Sequence, residues 1–356
     1  MVGVYWSQVQ EAFGQSVGAL GLVSLVYGIG RMSTALAGRA LLRHMAMGRA
    51  FVVALIALAA ASLAIAGSTS WVLFLVAVGA VGVMSGLLDS LGAIFITTIG
   101  DVGSTGLIHG MYGLGATVGP LIVIAAPTWR WSALASTVIV GGAIVVAHRA
   151  RQSWPQPVPV TAVAGQVAEP VNPVVIFASL GAFASLVALE VTTGQWIFTY
   201  LTESRRFEGD LAAIGVSGFW AGLMAGRLLM SRPGVTPFVD RMGTVKLGLA
   251  ALAAIVGAMM LPSPLAVGAL VFAGICLGPL IPTLFARTRE RVGEVHAARM
   301  AGRQLLATNV GGVGVPFLTG LLVDATDPGV IIMVILVVLG LIALPLLATL
   351  RRVAPV

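Results

Sequence analysis

The chain has 356 residues, 58% of them hydrophobic and 9% charged, with a mean hydropathy of +1.02. A soluble domain carries about 25% charged residues, so a water-soluble fold is excluded; continuous apolar runs of about 20 residues exclude a β-barrel, whose strands alternate over segments of about 10. The net charge of +7 lies in short turns between apolar segments, where a membrane surface explains it and a nucleic-acid partner does not.

The first fourteen residues, MVGVYWSQVQEAFG, have neither the basic region nor the apolar core of a signal peptide. Beyond them, apolar runs bounded by charge, Pro or Gly clusters predict helices near 17–38, 50–67, 71–98, 104–126, 131–148, 173–203, 211–231, 243–262, 265–286, 298–322 and 329–350. That makes an all-α polytopic membrane protein with about eleven transmembrane helices. The segment 149–172, RARQSWPQPVPVTAVAGQVAEPVN, is rich in Pro and small residues and too polar to span. It is expected to be a cytoplasmic linker between an N-terminal half, 1–148, and a C-terminal half, 173–356. One face collects Arg39, Arg43, Arg49, Arg149, Arg151, Arg227, Arg232, Arg241, Lys246, Arg287, Arg289, Arg291, Arg299, Arg303, Arg351 and Arg352, and the other keeps Arg130, Arg205 and Arg206. The positive-inside bias then places the chain in the cytoplasmic (inner) membrane with its C-terminus in the cytoplasm.

The halves look like repeats. Gly30-Arg31 matches Gly226-Arg227, an offset of 227 − 31 = 196, and Gly115 with Pro120 matches Gly311 with Pro316, where 316 − 120 = 196 again. The same shift carries helix 173–203 onto about −23 to 7, so most of the equivalent first helix is expected upstream of Met1. A start internal to a longer frame is favoured over a protein of eleven helices, because six helices per half have an internal logic that five lack.

Ionisable and amide groups inside apolar helices are the candidate site. Asp89, about 13 Å from the cytoplasmic end of its helix, and Arg31, about 10 Å from the end of its own, could meet. They would form either a proton- or substrate-binding carboxylate with a movable partner, or a permanent pair. His109 opens the next helix, where an imidazole could exchange protons or simply cap the helix. Glu190, Gln195 and Trp196 set hydrogen-bonding groups beside a flat aromatic surface, which suits a polyhydroxylated ligand; Trp196 could equally belong to an interfacial belt. Gln304 and Asn309 either line a cavity or bond across helices. Gly115, Gly119, Pro120, Gly311 and Pro316 suit close helix packing, and Pro279 and Pro282 interrupt helix 265–286 as a gating kink would. No phosphate loop, GxSxG elbow or metal-ligand spacing is present, and Asp324 and Asp327 stand alone in a short loop, so no enzyme, cofactor or metal is expected.

Several stretches together resemble the major facilitator superfamily and, within it, the fucose permease-like branch of fucose, glucose and galactose:proton symporters. GLLDSLG resembles that branch's fourth helix, LIHGMYGLGATVGP its fifth, EVTTGQW and FWAGLMAGRLL its seventh and eighth, LGPLIPT its tenth, and GRQLLATNVGGVGVP its eleventh. GRALLRHMAMGR is a remnant of the superfamily's cytoplasmic motif, and Asp240-Arg241-Met242-Gly243 keeps the core of its second copy. Where the branch carries Asn four residues after the acid, this chain has Ala93. The resemblance implies a two-half bundle of twelve helices, here helices 2–6 and then six more, working by alternating access. It places Asp89 at the position of the branch's proton- and sugar-coupled acid; from the residues themselves, Arg31 and His109 are expected to join Asp89 in proton coupling, and Glu190, Gln195, Trp196, Gln304 and Asn309 to bind the substrate. The expected partners are a small-molecule substrate, protons and the lipid bilayer, with the chain a monomer. Drug or metabolite efflux, or a truncated protein that does not transport, are the alternatives.

Overall fold

A computed structural model of the chain describes residues 2–34, 37–99, 102–154, 171–230, 232 and 235–352. The side chains at 39, 96–99, 102–112, 236–238, 240, 294–295, 298 and 352 lie outside that description. The elements in order are α1 (Trp6–Phe13), α2 (Ala19–Ser33), α3 (Ala37–Leu41), α4 (Met47–Gly67), α5 (Trp71–Ile99), α6 (Val102–Ala125), α7 (Trp129–Ala150) and α8 (Pro173–Thr199), which a π-turn at Tyr200–Ser204 prolongs. After it come α9 (Gly209–Leu229), α10 (Val235–Met242), α11 (Thr244–Met260), α12 (Ser263–Leu277), α13 (Leu280–Ala286), α14 (Thr288–Val292), α15 (Glu294–Ala325) and α16 (Pro328–Arg352). Among the described residues, eight helical spans are long and apolar enough to cross a membrane, and three shorter apolar helices, Ala19–Ser33, Gly113–Ala125 and Thr244–Met260, join them.

The boundaries follow local chemistry. Asn172 caps α8, its Oδ1 accepting from the Val174 N–H at 2.9 Å, and Pro173 occupies the first helical position, where a missing N–H costs nothing. The expected helix 265–286 is broken where Gly278 and Pro279 stand, into α12 and α13, because Pro279 has no N–H to continue the ladder. The expected helix 17–38 ends early at Ser33, and the chain resumes as the short α3. At the other extreme α15 begins at Glu294 and runs 32 residues, since Gly293 takes the positive φ of 74° that turns the chain into it.

The chain forms two compact units. One comprises residues 5–107 and 125–162, the other 1–4, 108–124 and 163–356. In the first, α2 packs on α5, and α4 on α5 and α7; in the second, α9 packs on α12, α8 on α15 and α16, and α11 on α12 and α16.

The two units repeat one crossing in register. In the first, a Cβ on Gly30 would collide with the Gly79 carbonyl, and one on Gly82 with the Tyr27 carbonyl. In the second, a Cβ on Gly226 would collide with the Ile275 carbonyl, and one on Gly278 with the Leu223 carbonyl. Each of these four positions is related to its counterpart by 196 residues: 226 − 30, 275 − 79, 278 − 82 and 223 − 27. Glycine is required here because backbone meets backbone, and in hydrocarbon such close packing drives helix association. The repeat read from Gly30-Arg31 and Gly226-Arg227 is therefore carried by the contacts themselves.

Two of the three basic residues on the Arg-poor face act as helix caps. The Arg130 guanidinium donates to the Ala66 carbonyl at the end of α4, at 2.5 Å, and that of Arg205 donates to the carbonyls of Met259, Met260 and Leu261 at the end of α11. Both satisfy the carbonyls that a helix C-terminus leaves unpaired and offset its negative dipole end.

Candidate functional site

In the first unit the close crossing of α2 and α5 sets the site. Gly82 and Gly86 admit the α2 backbone, the Thr34 hydroxyl donates to the Val83 carbonyl at 2.7 Å, and the Gly38 N–H donates to the Ser90 hydroxyl at 3.2 Å. Arg31, in the last turn of α2, thereby reaches across to α5, and its Nε donates to Asp89 Oδ2 at 2.7 Å. The pair forms as the helix depths predict. Both side chains remain substantially open, Arg31 at 39% and Asp89 at 56% exposure.

The second unit holds a second, more enclosed pair. Arg227, in the last turn of α9, donates from Nη2 to both Glu190 carboxylate oxygens, at 2.9 and 3.1 Å. Here the side chains are 20% and 10% exposed. In the sequence Arg227 stands out only through the repeat and the charge bias and not as a site residue; the signal for it is its match to Arg31.

Around Glu190 the α8 face is polar but closed. The Trp196 ring is fully buried, and its Nε1 donates to the Pro316 carbonyl at 3.2 Å, tying α8 to α15. Gly194 receives the Trp220 indole from α9, which would collide with any Cβ there. The buried hydroxyls of Thr192, Thr193 and Ser217 have no hydrogen-bond partner among the described residues. Gln195 is half-buried.

The remaining candidates separate by surroundings. Gln304 is buried and bonds across helices: its Nε2 donates to the Ser179 hydroxyl at 2.8 Å, and the Thr288 hydroxyl donates to its Oε1 at 3.1 Å. Asn309 is half-buried, and its Nδ2 donates to the Leu305 carbonyl of its own helix at 3.0 Å. Gly311 lies against the Ala184 carbonyl, whereas a Cβ on Gly115 would meet nothing within 4 Å. Gly119, Pro120 and Pro316 are buried, the two prolines inside α6 and α15. Pro279 marks the α12–α13 break, and Pro282 lies within α13. The backbone of His109 is in α6, but its side chain is outside the described residues.

Two helical units built on one repeated crossing, each with an arginine-acid pair inside apolar helices, define a membrane protein of the transporter type. The sequence matches the family model of the Major Facilitator Superfamily over residues 1–302, and the chain belongs to that family. Among solved structures, a bacterial homologue of the human lysosomal transporter Spinster, in an inward-facing and unoccupied conformation, has a TM-score of 0.68 at 15% identity, covering 99% of this chain and 91% of that one. The human organic anion transporter MFSD10 (TETRAN) gives 0.67 at 14%, covering 97% and 88%, and FucP, a Major Facilitator Superfamily transporter in the outward conformation, gives 0.61 at 15%, covering 97% and 93%. These likenesses are of fold. A curated relative, Bypass of stop codon protein 6 of Saccharomyces cerevisiae, is 28% identical over 161 residues, which is 42% of this chain; the match spans about a third, 32%, of that protein's length.

Proposed function

We infer that the chain is a secondary active transporter working by alternating access, as the family's fold implies. We propose that this chain moves a small polar solute, a sugar, across the cytoplasmic membrane in symport with protons, with halves 1–148 and 173–356 joined by the linker 149–172. The observation that carries the reading is the half-open Arg31–Asp89 pair on two apolar helices. A charge facing hydrocarbon costs about 2.5–3.5 kcal/mol, so the open side of this pair faces water. A carboxylate that water can reach can take up and release a proton. With Asp89 charged, the short hydrogen bond to Arg31 is charge-assisted; protonation removes the charge and weakens the hold of α5 on α2. Proton occupancy thus biases one arrangement of α2 against another, as coupling requires.

Glu190 and Gln195, with the hydroxyls of Thr192, Thr193 and Ser217 that have no partner among the described residues, supply the donors and acceptors that a polyhydroxylated solute needs. The likeness to FucP supports a sugar among polar solutes by fold only. The test is uptake of a labelled sugar panel by proteoliposomes under an imposed inward proton gradient. Gradient-driven accumulation should be abolished in Asp89→Asn, while the variant's unfolding midpoint stays near that of the parent because the site is half-open. Undiminished accumulation in the variant overturns proton coupling at Asp89, and loss of preloaded compound instead of uptake replaces symport by efflux.

A further inference from the structure

In the second unit, α14, α15 and the start of α8 with the residues before it border a half-open cavity of about 140 Å³ lined by Val171, Ile176, Val292, His296, Arg299, Met300 and Arg303. One water occupies about 30 Å³ of the liquid, so the space admits a larger group. The spacing of His296, Arg299, Met300 and Arg303 places them along one stripe of α15. Arg299 and Arg303, four residues apart, are like charges on neighbouring turns, an arrangement that repels when nothing lies between them. Among the described residues neither forms an ion pair. In α14, Arg291 is buried and donates to the Leu284 carbonyl; burial, with Arg287 adding to it and Glu290 opposing, pushes its guanidinium pKa down. The Gln304 bonds to Ser179 and Thr288 fix the three helices that form the walls.

The cavity lies where two apolar spans begin, Arg299–Ala325 and Pro173–Ser204. Its remaining walls are Val171, Ile176, Val292 and Met300. Apolar walls topped by a guanidinium pair at the edge of a span match an amphiphile whose anionic end sits at headgroup depth and whose chains enter hydrocarbon. Guanidinium forks bind phosphate oxygens bidentately.

We propose that this cavity binds a phosphate-bearing anion and that its occupant is the phosphodiester headgroup of an anionic phospholipid. The proposal is independent of the transported solute and of Asp89. It is tested on the purified full chain in nonionic detergent by titrating phosphatidylglycerol, phosphatidylcholine or inorganic phosphate and following the unfolding temperature. Phosphatidylglycerol should give a saturable rise that phosphatidylcholine does not. Arg299→Gln/Arg303→Gln should weaken its apparent affinity at least tenfold, and Arg149→Gln, a basic residue elsewhere, should leave it unchanged. An equal rise with inorganic phosphate keeps the anion site and overturns the lipid as occupant. A rise that persists in the double variant, or no rise at all, overturns the site. The unfolding midpoint of the double variant in phosphatidylcholine reports whether it folds, and Arg299→Lys/Arg303→Lys, which keeps charge but loses the forks, should bind with intermediate affinity.

Discussion

Arg227→Leu separates the two ion pairs by energy. Glu190 and Arg227 keep 10% and 20% of their side-chain surface exposed, against 56% and 39% for Asp89 and Arg31. Glu190 accepts both of its observed side-chain hydrogen bonds from Arg227. Removing one partner from a buried pair strands a charge and costs about 3–5 kcal/mol, whereas an exposed pair contributes about 0–1 kcal/mol. Arg227→Leu should therefore lose at least about 3 kcal/mol and Arg31→Leu less than about 1 kcal/mol. The double variant Glu190→Gln/Arg227→Leu removes the stranded charge and should recover more than half of the loss, because most of the penalty lies in the unpaired carboxylate rather than in the lost attraction. The measurement is equilibrium unfolding in mixed micelles of dodecyl maltoside and dodecyl sulfate, followed by circular dichroism. Equal losses for the two single variants, or a double variant no better than Arg227→Leu, would refute the reasoning.

The repeated crossing predicts that Gly82→Val and Gly278→Val each lose about 1–3 kcal/mol by overpacking, while Gly115→Ala, with nothing within 4 Å, leaves the unfolding midpoint unchanged. Trp196→Phe loses the hydrogen bond to the Pro316 carbonyl and leaves a void where the fully buried indole was, so thermal unfolding should register more than about 1 kcal/mol, the loss from the hydrogen bond alone. Gln304→Leu strands the Ser179 hydroxyl, while that of Thr288 keeps the Leu284 carbonyl, and should cost about 1–3 kcal/mol; in a transport assay its effect should be on the amount of folded protein rather than on the apparent affinity for solute. Arg205→Ala uncaps α11, and hydrogen exchange at Met259, Met260 and Leu261 should accelerate locally with little change at α4.

The helices were legible because the bilayer forces every spanning backbone into one form, leaving length and hydropathy to be read directly. The break at Gly278-Pro279 was equally legible, since proline acts on its own backbone. What the pattern could not tell was which helix each face meets. Trp196 followed by Phe198 and Tyr200 has the spacing of an interfacial belt, yet its ring is buried against α15, a neighbour 120 residues away in sequence. Gln304 reads equally as cavity lining or cross-helix bond because both demand an amide in an apolar run; its bonds to Ser179 and Thr288 come from neighbours the pattern does not name. The Arg31–Asp89 pair was foreseeable because two depths on adjacent helices sufficed. The Glu190–Arg227 pair was not, because Arg227 near a helix end on the basic face already had an explanation in topology.

The two pairs show how a repeated scaffold is put to unequal use. Arg31 and Arg227 are equivalent at the 196-residue shift, each one residue past a glycine that lets its helix cross another at backbone contact. The acids are not equivalent: Asp89 shifts onto Phe285, and Glu190 belongs to α8, not to the helix that α5 matches. An arginine brought into the bundle by the close crossing needs an anion wherever one can reach it, and the two units recruit it from different helices. The consequence is a difference in exposure at constant chemistry. In the second unit the carboxylate is enclosed, and separating the charges carries the full desolvation penalty, which holds α8 to α9. In the first, both side chains stay substantially open, and the penalty for parting them is small. One arginine position thus yields a contact that resists separation in one unit and a contact that parts at little cost in the other.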